Sequence, residues 1–346
     1  MKNIRNLLLM LLLIPVMVMA GAAKGKYTKE KKISKSYTVN ANAGLTVSNK
    51  FGNVYVTTWD QNETAIDVVI TISGNDESDV IKRLNGTDVL FEASKQMVSA
   101  STKIANYNGS MSIEVNYTIR VPKNGSMGIN NQYGAIRLGK IYGATNLDCQ
   151  YGDLAIEELN SNSNVIKIEY CDKSKIGSVK SADIVTQYSG LQITKVNTLK
   201  LNAQYTDVDI ATVNAISYKC QYSDMKIKSV DNITGTGTYS DLTIGSIGEL
   251  LNVTASYGHL NVGRVEKTVK NIAVVANYVD VNVGYSQDLA FDFEFITEYS
   301  DVSGISGFKF TQKVEKSTSG VYKGYNKAIG NSRMYIKAMY SDIKFW

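Results

Sequence analysis

The sequence predicts an all-β fold: a single-stranded parallel β-solenoid, right-handed, with a β-rich N-terminal cap carrying one short helix. Three observations lead there. The 346 residues include 22 Tyr against 8 Phe and 2 Trp, with only 2 Pro, and that balance favours strands and leaves ladders unbroken. A Tyr-x-Asp hexapeptide then recurs along the second half, as Tyr151-Gly-Asp-Leu-Ala-Ile156, Tyr205-Thr-Asp-Val-Asp-Ile210, Tyr222-Ser-Asp-Met-Lys-Ile227 and Tyr239-Ser-Asp-Leu-Thr-Ile244. From Tyr133 to Tyr299 the spacings are 18, 19, 18, 17, 17, 17, 18, 21 and 21, so rungs run to about 17–21 residues. That period is too short for helix-pair repeats. Finally, apolar residues alternate ahead of each Tyr, as in Leu199, Leu201 and Ala203, which is strand periodicity.

Taken in order, the chain begins with an address. Lys2 and Arg5 precede the apolar run Leu7–Met19, and small residues follow, so residues 1–20 read as a signal peptide. At 13 residues the run is too short to span a bilayer, and no later stretch is long enough. The protein is expected to be exported to the periplasm, the outer membrane or the cell surface. Residues 21–130 form a basic tail and cap region. Lys24 to Lys35 holds six Lys and one Glu, read here as a solvated, flexible terminus. Beyond it, Val47, Val54, Val56 and Ala65–Ile72 read as strands, Glu77–Leu84 as a helix, and Ser112–Arg120 as a strand ending at Val121-Pro122. Without the leader and this tail the body carries about −2, so no electrostatic footprint for nucleic acid exists.

Residues 131–346 form the solenoid. Its repeat tyrosines are Tyr151, Tyr188, Tyr205, Tyr222, Tyr239, Tyr257 and Tyr278, with weaker copies at Tyr133, Tyr170 and Tyr299, a closing copy at Tyr340 and an early one at Phe51. The alternation places each Tyr on the inward face, capping the strand before it, with the bend one and two positions later. Adjacent rungs would stack the rings at roughly 4.8 Å. Between 285 and 340 the rhythm breaks, which predicts a longer closing loop with Gly320, Gly324 and Gly330 at turns.

With its signal peptide, Trp59 strand pair, Val121-Pro122 strand end, serial Tyr-Gly/Ser-Asp rungs and terminal Tyr-Ser-Asp-Ile copy, the chain resembles bacterial auto-transporter adhesins of the head GIN domain and related adhesin-like β-solenoids. The resemblance covers most of the exported chain. It implies surface adhesion and transfers no catalytic residue.

The candidate chemistry is sparse. Asp207, Asp224 and Asp241 fall at the same corner of consecutive rungs, where stacked carboxylates could attract Ca²⁺. The preferred reading is that each caps backbone N–H groups of its own turn, with no bound metal and no cofactor. The same column could serve a polysaccharide lyase or glycosidase, but such sites need irregular acid clusters, so no catalytic residue is assigned. His259, the single histidine, replaces an Asp at one corner. Cys149 and Cys220 lie four rungs apart and Cys171 is placed on another face, so no disulfide is expected. The expected role is a non-catalytic adhesin-like or structural protein of the envelope, binding a glycan, extracellular matrix or another envelope protein. The alternatives are a β-helix carbohydrate-active enzyme or a periplasmic partner protein.

Overall fold

The computed structural model describes residues 25–106, 110–286, 288–330 and 332–346; residues 1–20, read above as a signal peptide, lie outside them. Its strands join into one continuous sheet wound as a solenoid. Pairing between successive rungs is parallel and in register, because the period of the sequence equals one turn of the coil. Leu199 opposes Ile216, which opposes Ile233, and Leu201, Tyr218 and Gly235 form the next column. Within the rung Asp207–Gln221, Val208, Ile210, Val213, Ile216, Tyr218 and Cys220 face inward. Adjacent outward residues at Ala211–Thr212 and Asn214–Ala215 break the alternation and mark two further bends. Apolar columns from every rung merge into a single core running the length of the coil.

The first rung is the early Phe51 copy. Strands Gly44–Lys50 and Val54–Trp59 lie directly on Met127–Gln132 and Ile136–Ile141 of the Tyr133 rung. Their other edges are covered by Met97–Ile104 and Ser112–Pro122. The Lys-rich terminus is no flexible tail. Tyr27–Thr38 is a strand, antiparallel to Glu63–Gly74 along its whole length, and its residues alternate between half-buried and exposed. Lysine on an edge strand discourages further strand addition, which accounts for the composition without invoking disorder. Lys29 and Lys31 meet Glu77 and Asp88 at 2.7 and 3.1 Å. The helix Glu77–Asn85 starts where expected, with the Asp76 side chain accepting from the Asp79 N–H.

The other end differs from a plain loop. Phe291–Glu298, Ser319–Asn326 and Lys309–Glu315 form an antiparallel meander, so Gly320 and Gly324 lie within a strand rather than at turns. The final strand pair, Ser332–Met339 and Ile343–Phe345, inserts between the Tyr278 and Tyr299 rungs. Phe291, Phe293, Phe295, Phe308 and Phe345 pack together there and close the core.

Candidate binding surface: the tyrosine ladder

Each repeat Tyr has a positive φ, between 48° and 58°, and Phe51 has 63°. This left-handed conformation is uncommon for a non-glycine residue, yet it occurs at every rung. It reverses the side-chain alternation at the Tyr itself. The residue two before it, such as Ala203 or Cys220, is buried, whereas the Tyr points to solvent and the following residue points in. The bend therefore lies at the Tyr, one position earlier than the sequence suggests, and the rings face outward. Their exposures run from 43 to 53%.

What holds the strained corner is the residue after the Tyr. Thr206, Ser223 and Ser240 are buried, and each hydroxyl donates back across its Tyr to a carbonyl, Gln204, Gln221 and Thr238, at 2.9–3.1 Å. The same oxygen accepts the N–H of the preceding rung's equivalent residue: Ser189 to Thr206, Thr206 to Ser223, Ser223 to Ser240, at 3.0–3.3 Å. One hydroxyl thus closes its own turn and pins its neighbour. Nearer the N-terminus the buried amides of Asn49 and Asn131 do comparable work, bonding each other and the Gly52 carbonyl.

On this frame twelve rings, from Phe51 to Tyr340 and Tyr299, stack in one file at centroid distances of 4.7–5.2 Å. Tyr151, Tyr188, Tyr205, Tyr222, Tyr239, Tyr257 and Tyr278 all belong to it. Lys50 lies against the Phe51 and Tyr133 rings at one end. Two polar columns flank the rings. On one side is a row that is amide at its centre, where Gln187 donates to Gln204 and Gln204 to Gln221 at 3.0 and 3.3 Å, with Glu169 and Glu298 at the same position in two other rungs. On the other is the carboxylate row.

Asp207, Asp224 and Asp241 lie in line, one per rung. Rather than capping its own turn, each bonded carboxylate accepts from the next rung: Asp241 N–H to Asp224, and His259 N–H to Asp241, at 3.2 and 2.8 Å. The His259 ring also rests 3.0 Å from Asp241. Among the described residues, no three His, Cys, Asp or Glu side chains gather as metal ligands would. An open groove of about 520 Å³ beside the ladder mixes Asp172, Asp207 and Asp224 with Lys173, Lys175 and Lys226.

The cysteines depart from expectation in one respect. Cys171 faces the same interior as Cys149, with the two sulfurs 3.8 Å apart, because Cys171 occupies the inward position after Tyr170. All three cysteines are free and buried, and burial pushes the Cys220 thiol up to about 12. The inward hydroxyls and the amide row escaped the sequence reading, although Ser or Thr recurs after Tyr188, Tyr205, Tyr222 and Tyr239 as regularly as the Asp does.

No curated protein matches the sequence. Among solved structures, a "putative adhesin" from Parabacteroides merdae ATCC 43184 is 8% identical with a TM-score of 0.38, covering 93% of this chain and 98% of its own. A "putative cell adhesion protein" from Clostridium sporogenes ATCC 15579 is 11% identical with a TM-score of 0.20, covering 92% and 99%. A "putative lipid binding protein" from Parabacteroides distasonis ATCC 8503 is 6% identical with a TM-score of 0.36, covering 91% and 96%. A family model described as Toastrack DUF4097 matches residues 26–330.

Proposed function

The chain belongs to the Toastrack DUF4097 family, and from that premise we propose that it is a non-catalytic, exported, adhesin-like protein of the bacterial envelope. It presents a rigid β-solenoid as a contact surface. The observation that carries this reading is the ladder: a continuous file of half-exposed aromatic rings, held by strained corners and buried hydroxyls on a wound sheet. An exposed aromatic surface of that extent marks an interaction site. The acids argue against the carbohydrate-active alternative. They form a periodic row bonded to backbone N–H groups, not an opposed pair with separated environments. The residues 1–20 leader supports export.

Location tests the proposal. Intact cells are treated with protease and blotted for the exported chain. Cleavage on whole cells is the expected result and leads to binding screens on glycan and matrix. Protection until the outer envelope is opened would overturn surface display and move the search to periplasmic partners.

A further inference from the structure

We propose that the tyrosine ladder is a self-association surface, on which a second copy of this chain pairs ladder to ladder with both coils running in the same direction. The inference rests on the proposed function only in taking the ladder, rather than a pocket, as the contact surface.

Spacing comes first. Rings 4.7–5.2 Å apart and nearly parallel leave no room for another ring or a sugar to slide between them. A partner meets ring edges and hydroxyls, and to meet them along the whole file it must repeat at the same interval. The polymer on hand with that interval is the chain itself. Two such faces match rung for rung, as identical side chains do between paired sheets. Among the described residues the ladder hydroxyls make no hydrogen bond within the chain, and an opposed ladder supplies both donors and acceptors. Area is sufficient. Eleven tyrosines, each about half exposed, offer roughly 1,000 Å² per copy, against the about 800 Å² per partner of a standard interface.

The flanking rows set the direction. With the two-fold axis along the coil, the carboxylate row of each copy faces the amides of the other at the Tyr205 and Tyr222 rungs, where Gln204 and Gln221 can donate to partner carboxylates, and like charges meet only where Glu169 and Glu298 take the amide position opposite Asp172 and Asp301. With the axis across the coil, the carboxylate row would face itself, and like charges would oppose at most rungs of the interface rather than at two. Parallel copies also put equivalent ends together, as rods standing from one surface require.

The purified protein is followed by light scattering through a dilution series, with three chains compared: the native one, Gln204→Asp with Gln221→Asp, and Gln204→Lys with Gln221→Lys. Thermal melts establish that each is folded. The expected result is a native dimer whose dissociation constant rises about tenfold or more in the Asp pair and falls in the Lys pair. Weakening by both substitutions would mean that amide rows face each other, and would overturn the parallel arrangement. A dimer indifferent to both pairs elsewhere, and a monomer at every concentration pairs nowhere; either overturns the inference. Neither bears on protease accessibility in cells, which tests the proposed function separately.

Discussion

At the scale of single residues the corner decides most. A left-handed φ costs a non-glycine residue about 1–3 kcal/mol, and here the cost recurs at every rung. The stacked ring offsets the strain along the file, and at corners such as Tyr205, Tyr222 and Tyr239 the buried hydroxyl of the next residue adds to that offset. Tyr222→Val places a β-branched side chain in that conformation and removes two ring contacts, so it is expected to destabilise by about 2 kcal/mol or more. Tyr222→Asn, which tolerates positive φ, loses only the contacts. Urea unfolding of the two variants should separate them, and equal midpoints would show that strain is not what the Tyr carries. A second residue makes a pH prediction. Tyr117 is buried, its hydroxyl 2.7 Å from Thr102, and burial pushes its pKa up to about 12. Its contribution is fully present below the unfolded value near 10 and is lost as pH rises through 12. Tyr117 should therefore account for a fall of roughly 2–3 kcal/mol across that window, and Tyr117→Phe should remove that share while Tyr218 and Tyr322, also pushed up by burial, keep theirs.

At the scale of the rung, packing is a matter of columns. Tyr218 is inward, and the residue opposite it in the next rung is Gly235, where an added Cβ would run into the Tyr218 ring and carbonyl. Gly235→Ala is expected to cost about 1–3 kcal/mol. Adding Tyr218→Leu should recover part of that loss; a double variant no better than the sum of the singles would mean the two do not share the space. The rung itself was legible in the sequence, since period, apolar alternation and Tyr position all repeat. The orientation of the Tyr was not, because counting every second residue assumes an unbroken strand, and one left-handed residue reverses the count. Cys171 was misplaced for the same reason, as it lies one step past such a reversal. The lysines of Tyr27–Thr38 look alike in a tail and on an edge strand; only the partner strand Glu63–Gly74 distinguishes them.

At the scale of the whole molecule, stability is a sum of rungs and their contacts with neighbours. The C-terminus makes an exception. Sequence order would stack the Tyr299 rung on the Tyr278 rung, but Ser332–Met339 lies between them, which no local pattern signals. Removing residues 332–346 deletes an interior turn, together with Phe345 from the aromatic plug. Limited proteolysis should then cut within 285–330, while the rungs before Tyr257 keep their protection; an unchanged digest would show that the meander stands alone. The inserted strand has a mechanical meaning as well. A coil whose chain ended in its outermost turn could be peeled from that end, one hydrogen bond after another. Here the last strand is clamped on both sides by parallel neighbours, so tension applied at Trp346 loads two rows of bonds at once, in shear. A rod tethered there would resist drag as a riveted joint does, and would fail as a unit rather than unravel.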